Sequence, residues 1–122
     1  MAIATRLMGV GCSAGEATQI CGDVADGLTA AGTTNADALQ LSAIINRVTT
    51  TAASTGVRLM LPEQGASVVV VNSGANALLV YPGTGAQINA LTATSGGFSV
   101  AAGGRAMFVG TSSTNWFALL SA

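Results

Sequence analysis

The chain has 122 residues, enough for one domain with a buried core, but only 7% of them are charged, against roughly 25% in ordinary soluble domains. It contains no His and no Lys, and its four Arg residues are scattered, which excludes the basic footprint of a nucleic-acid-binding protein. The same shortage of bases argues against an enzyme. Without His, no metal site or other cofactor site is expected.

The middle of the chain has an unusual lack of charge. No charged residue occurs from position 64 to position 104, a run that includes SVVVVNSGANALLVYPGTGAQIN. A membrane-spanning helix needs roughly 20 consecutive apolar residues, whereas the apolar runs here are short and are separated by the turn-forming segments NSGAN and PGTG. We therefore expect buried strands and no membrane span. Such a chain stays soluble by burying both faces of its sheets, in its own core and against other subunits.

The N-terminal part differs from the rest. Residues 1–12 show no strand pattern and are expected to form an extended arm. Ser13 and Glu16 have the spacing of a capping box, in which each side chain satisfies a backbone N–H at a helix start. Gly22 supplies a stop signal. Together these residues predict a short helix near residues 14–21.

The next part of the chain alternates between turn-rich and apolar segments. Residues 22–37 predict a loop with a short strand near Leu28. The segment ALQLSAIINRVTT predicts one longer strand, in which a change of apolar parity near residues 43–44 indicates a bulge or a strand covered on both faces. Residues 57–61 alternate as a strand that ends at Pro62.

The remainder predicts six short strands at roughly ten-residue spacing, the first two of them joined as a hairpin. Their predicted bounds are 67–72, 77–81, 86–90, 98–101, 105–110 and 115–120. Many short strands at this spacing are typical of a jelly-roll-like fold or a β-sandwich. We therefore expect an all-β single domain over residues 13–122.

Four side chains are candidates for binding. Tyr81 and Trp116 lie at strand ends in apolar runs, where such rings are typical anchors of a core or an interface; an exposed pair would instead form a carbohydrate platform. Arg58 projects from the opposite parity to its apolar neighbours, and Glu63 follows closely. These two predict either an ion pair between subunits or an ordinary solvated pair.

The second half of the chain resembles a known class of protein over residues 57–120. The stretches GVRLMLPEQGASVVVVNSGANALLVYPGTGAQIN and SVAAGGRAMFVGTSSTNWFALL contain a V-V-x-N-x-G-x-x-x-L-x-V-Y-P hairpin, an I-N pair and a closing G-x-x-A-x-F-V followed by a Trp strand. In these features the chain resembles small β-structured virion proteins of tailed bacteriophages, most of all head decoration (cement) proteins. None of the shared residues is catalytic.

The resemblance implies a location and a set of partners. It implies a non-enzymatic virion protein that is made in the host cytoplasm and sits on the capsid exterior. There it would bind the major capsid protein and brace neighbouring capsomers. It also implies a homo-oligomer, with a trimer favoured and a dimer as the alternative.

The candidate attachment segment is residues 1–10, which hold apolar side chains and a single charge outside any predicted strand. The residues expected to contact a capsid groove are Ile3, Arg6, Leu7, Met8 and Val10. Burying them removes apolar surface from water, and Arg6 could pair with a capsid carboxylate. The alternative is that the segment packs on its own domain.

A second class of function is also considered, a tail- or fibre-associated receptor-binding domain. It would recognise a host glycan through Tyr81 and Trp116. A groove with exposed aromatic rings would favour this function, and buried rings would disfavour it.

Overall fold

The computed structural model describes residues 23–120, which form ten strands and no helix. The predicted arm over residues 1–12 and the predicted helix near residues 14–21 lie outside the described residues. In chain order the strands are β1 (Val24–Thr29), β2 (Leu39–Gln40), β3 (Ile45–Thr50), β4 (Gly56–Arg58), β5 (Ser67–Asn72), β6 (Leu78–Tyr81), β7 (Gln87–Ile88), β8 (Phe98–Val100), β9 (Arg105–Gly110) and β10 (Asn115–Leu120).

The chain crosses from one sheet to the other after almost every strand. The six-stranded sheet has the order β1-β3-β5-β9-β10-β7, and the four-stranded sheet has the order β2-β4-β6-β8. Val24 pairs with Ile45, and Ile45 pairs with Val69. One full coil of the chain, through both sheets and back, therefore takes 21 residues, and the next takes 24. The first half of the described chain therefore coils like the turns of a β-solenoid, with its strands stacked in parallel.

The second half closes this coil with antiparallel strands. β9 pairs antiparallel with both β5 and β10, and β8 pairs antiparallel with β6. The result is two mixed sheets facing each other, which confirms the predicted all-β class and is consistent with a β-sandwich. It departs from a jelly roll, because a jelly roll is built from antiparallel strands, whereas the first three strands of each sheet here are parallel.

One hydrophobic core fills the space between the sheets. In β5, the buried Val68 and Val70 alternate with Val69 and Val71, which face outward, as the period of two requires. Phe108 of β9 meets Phe98 of β8 edge to face, with 5.6 Å between ring centroids. The largest fully buried side chains are Trp116, Phe108, Leu41, Leu59, Leu78 and Ile88. Both sheets contribute to this list.

The prediction of one long strand in ALQLSAIINRVTT is wrong. The segment forms β2 in the four-stranded sheet and β3 in the six-stranded sheet. The backbone N–H of Leu41 donates to the carbonyl of Arg58 in β4, whereas that of Ile45 donates to the carbonyl of Asp23, the residue before β1 of the other sheet. The change of apolar parity near residues 43–44 therefore marks the corner where the chain crosses between sheets, not a bulge within one strand.

The prediction that the first two strands after residue 66 form a hairpin is also wrong. β5 and β6 lie in different sheets, so NSGAN spans the edge of the sandwich. The Asn72 side chain holds this corner: its Oδ1 accepts from Thr51 Oγ1 at 2.9 Å and from the Gly74 N–H at 3.0 Å. A side chain at Gly74 would collide with Thr51, so the corner also requires a glycine.

Other strand predictions are confirmed. β5, β9 and β10 have the predicted bounds, and β6, β7 and β8 lie inside the longer segments predicted for them. The strand predicted over residues 57–61 is shorter, since β4 ends at Arg58. Leu59 is still buried as predicted, but Leu61 is 59% exposed.

We predict that Asn72→Asp strongly destabilises the protein at pH 7. The Asn72 Nδ2 donates to the carbonyls of Asn76 and Val100 at 2.8 and 3.0 Å, and a buried carboxylate there would face both oxygens without a proton to offer. The expected cost is on the order of 3 kcal/mol. Because the carboxyl pKa would be raised in the folded state, the loss should shrink as pH falls toward about 4.

Denaturant unfolding at both pH values measures this effect. The matched control is Asn115→Asp, which alters a half-buried amide whose one side-chain hydrogen bond among the described residues is 3.5 Å long. If Asn72→Asp costs no more than the control, Asn72 does not hold the corner.

Candidate functional site

The acidic side chains with resolved partners serve the local structure. Oδ1 of Asp37 accepts from the Thr34 hydroxyl, from the Thr34 N–H and from the Thr33 N–H, and these bonds lower the pKa of Asp37 below its ordinary 3.8. The hydrogen bond from Arg47, 3.0 Å away, likewise lowers the pKa of Asp26. In the described part of the chain, no three His, Cys, Asp or Glu side chains come together as a metal-binding group.

Tyr81 and Trp116 are both buried. The Tyr81 hydroxyl donates to the carbonyl of Thr33 at 3.0 Å, and the Trp116 Nε1–H donates to the carbonyl of Met60 at 3.2 Å. Each ring thus fills the core while its polar atom bonds to the backbone, as is usual for buried Tyr and Trp. Neither ring offers a face on which a sugar could stack.

Arg58 and Glu63 are not brought together within one chain. The Arg58 Nε donates to Oε1 of Gln40 at 2.7 Å, and its Nη1 donates to the carbonyl of Asn35 at 3.1 Å. Glu63 is exposed. Within residues 23–120 these two side chains form no ion pair, so a pairing between subunits stays a prediction.

The outer face of the six-stranded sheet carries the most conspicuous surface feature. Five apolar residues, one from each of five neighbouring strands, are register partners in a single row across this face. We call this row the apolar rung: Val24 (β1), Ile45 (β3), Val69 (β5), Met107 (β9) and Leu119 (β10). Register partners lie on the same face of a sheet, so the five side chains stand side by side.

Much of this row is accessible to solvent. Val24 is 54% exposed, Met107 38% and Leu119 58%, while Ile45 and Val69 are half-buried between their neighbours. Such residues scattered singly would be ordinary, but a contiguous apolar patch on a monomer marks an interaction surface. The apolar rung is therefore the candidate functional site.

The rows on either side of the apolar rung differ in charge. One adjacent row contains Arg47, Val71 and Arg105 as register partners, with Asp26 bound to Arg47. The other adjacent row contains Ser67, Val109 and Phe117, which are also register partners and carry no charge. Phe117 is 47% exposed. All charges on this part of the face thus lie on one side of the apolar rung.

Sequence reasoning anticipated a sheet with two covered faces but did not identify these residues. The available signal was local: in VVVV and WFALL, both strand parities are apolar. What the sequence could not supply was the register that aligns five distant strands. The other candidate interface residues, Ile3, Arg6, Leu7, Met8 and Val10, lie outside the described residues.

Comparisons with protein-family models, with curated proteins and with solved structures found no match to this chain. Among residues 23–120 there is no helix long and apolar enough to cross a membrane.

We predict that the fluorescence of Trp116, the single Trp of the chain, reports a buried ring. Its emission should be blue-shifted, should resist quenching by iodide, and should not change when oligosaccharides are added. The same protein unfolded in guanidinium chloride is the control, and its Trp116 emission should be strongly quenched by iodide because the ring is then fully accessible. Native protein that is quenched as strongly as unfolded protein would show that the ring is on the surface.

Proposed function

We propose that this protein is a non-enzymatic structural protein of a virion, a decoration protein that binds the outside of a bacteriophage head and stabilises the contacts between capsomers. One structural observation supports the proposal: residues 23–120 expose a contiguous apolar row, the apolar rung, as expected of a protein that acts by association. The resemblance over residues 57–120 supplies the kind of virion protein.

The chemistry of the chain supports a structural role over catalysis. The chain has no His or Lys to act as a base near neutral pH. The hydrogen bonds to Asp37 and Asp26 lower the pKa of each carboxyl, which makes it a weaker base. Arg58 is engaged by backbone and side-chain oxygens of its own chain. These features favour a protein that acts through its surfaces.

The burial of Tyr81 and Trp116 disfavours the alternative function, a tail- or fibre-associated domain that binds a host glycan. That function depended on exposed rings, because sugars stack on the faces of aromatic side chains. Both rings have backbone partners inside the fold. No other feature of residues 23–120 supports glycan binding.

A decoration protein acts by adding interface area at weak seams between capsomers. A partner that binds the assembled state and not the dissociated state stabilises the assembled state, and this stabilisation grows with the logarithm of the partner's concentration relative to its dissociation constant. Contacts that are weak singly become firm when several copies are linked, because each further contact forms at a high effective concentration. A homo-oligomer bound to the major capsid protein meets both conditions.

We assign attachment to residues 1–10, which hold Ile3, Arg6, Leu7, Met8 and Val10. Burial of its apolar side chains in a capsid groove would remove on the order of 300 to 400 Å² of apolar surface from water, or roughly 8 kcal/mol before the conformational entropy cost of binding is subtracted. The net gain per copy is small, so firm binding requires several segments per assembly.

Deleting residues 2–10 should abolish binding to undecorated heads, with the fold intact. Co-sedimentation with heads and the melting temperature of the heads measure binding and stabilisation. Unchanged Trp116 emission is the control for folding. Arg6→Ala in the full chain should weaken binding by a smaller factor than the deletion, because it removes one contact. A truncated protein that decorates and stabilises heads as well as the full chain would place attachment elsewhere.

A further inference from the structure

We infer that the outer face of the six-stranded sheet is the contact between two copies of this chain, packed face to face about a two-fold axis that runs along the apolar rung. This inference rests on the proposed function only in the expectation that copies associate, and it needs no capsid. It names the surface, the partner and the relative orientation.

The shape and area of the outer face suit a second copy of the same sheet. A sheet face is flat, and a second sheet packs on it at a separation of about 10 Å with strand directions within roughly 30°. The exposed side chains of the apolar rung and its neighbours cover on the order of 500 Å² per copy. A stable standard interface buries about 800 Å² per partner, so we expect a reversible pair with a dissociation constant in the micromolar range.

The apolar side chains of two copies can meet in one continuous row. A two-fold axis along the apolar rung places each residue of the row opposite the same residue of the second copy, as an isologous contact requires. Leu119, Met107 and Val24, the three most exposed members, then lose their contact with water together. No polar side chain of the row interrupts this contact, because the row contains none.

The distribution of charge on the outer face selects the orientation of the two copies. Rotation about the apolar rung turns the charged row of one copy onto the uncharged row of the other. Arg105 and Val109 lie on β9 at equal distances on opposite sides of Met107, so Arg105 of one copy faces Val109 of the other. Phe117, the register partner of Val109, is then available to the guanidinium as a cation–π partner.

An alternative axis along the strand direction is less favourable. Centred on β5, it would place Arg47 of one copy opposite Arg105 of the other, since β3 and β9 lie on either side of β5. Like charges that meet across an interface oppose binding. The one-sided distribution of charge therefore favours the axis along the apolar rung.

Sedimentation velocity of the purified full chain from about 1 to 200 µM tests the surface. The wild type should shift from monomer to dimer over this range. Leu119→Asp should raise the dissociation constant at least tenfold. Leu61→Asp is the matched control, because Leu61 is 59% exposed against 58% for Leu119 but lies outside the strands of the six-stranded sheet, with its side chain beside Gly83. Trp116 emission checks that both variants are folded.

Two substitutions at Val109 test the orientation. Val109→Glu places a carboxylate opposite Arg105 of the second copy and should leave the dissociation constant within about threefold of wild type or lower it. Val109→Arg places like charges opposite each other and should raise it at least tenfold. Within one chain, positions 105 and 109 are four residues apart on an extended strand, roughly 13 Å, so neither variant acts through its own Arg105.

Three results would overturn the inference. If the wild-type chain stays monomeric at 200 µM, the outer face is not a contact between two copies. Equal dissociation constants for Leu119→Asp and wild type would place the contact elsewhere on the molecule. Equal weakening by Val109→Glu and Val109→Arg would remove the proposed orientation. Because no heads are present, each result is independent of whether the protein decorates a capsid.

Discussion

The structure depends on one constraint: the six-stranded sheet has apolar side chains on its inner face and also along one row of its outer face, and residues 23–120 cover only the inner face. The inner face is covered by the four-stranded sheet, whose buried residues Leu78 and Val80 oppose Val70 and Phe108 in one core. The outer face has no such cover among the described residues, and it leaves Met107, Phe117 and Leu119 accessible. The chain has few charged residues, so little charge repulsion opposes association through these exposed apolar side chains. The inferred pairing of two copies through this face would cover these side chains.

The crossing of the chain between sheets explains the small, polar corners of the sequence. Each crossing must turn the chain through the edge of the sandwich and still satisfy its backbone groups. Asn72 does this with a buried amide that bonds Thr51, Gly74 and Val100 from three separate segments. The same corners set the spacing of the turns and hence the register of the strands. The apolar rung exists because that register aligns Val24, Ile45 and Val69.

Local pattern was sufficient to predict the strands but not their partners. β5, β9 and β10 were predictable because each has a clear apolar run bounded by turn residues. Local pattern could not predict that β2 and β3 are separate strands, or that β5 and β6 lie in different sheets. A turn within a sheet and a crossing between sheets use the same residues, Gly, Asn and Ser. The sequence allowed Trp116 to be either a buried anchor or part of an exposed binding platform, and the structure shows that it is buried. The apolar rung, assembled from five distant strands, required the three-dimensional register.

The most direct measurement of the central claim is the rate at which hydrogen peroxide oxidises Met107, compared at 1 µM and 200 µM protein by mass spectrometry. Met107 is 38% exposed on the outer face, whereas the half-buried Met60 lies off that face and serves as the internal reference. If the face is covered by a second copy, Met107 should be oxidised readily in dilute protein and severalfold more slowly in concentrated protein, with no change at Met60. Equal oxidation of Met107 at both concentrations would contradict the account.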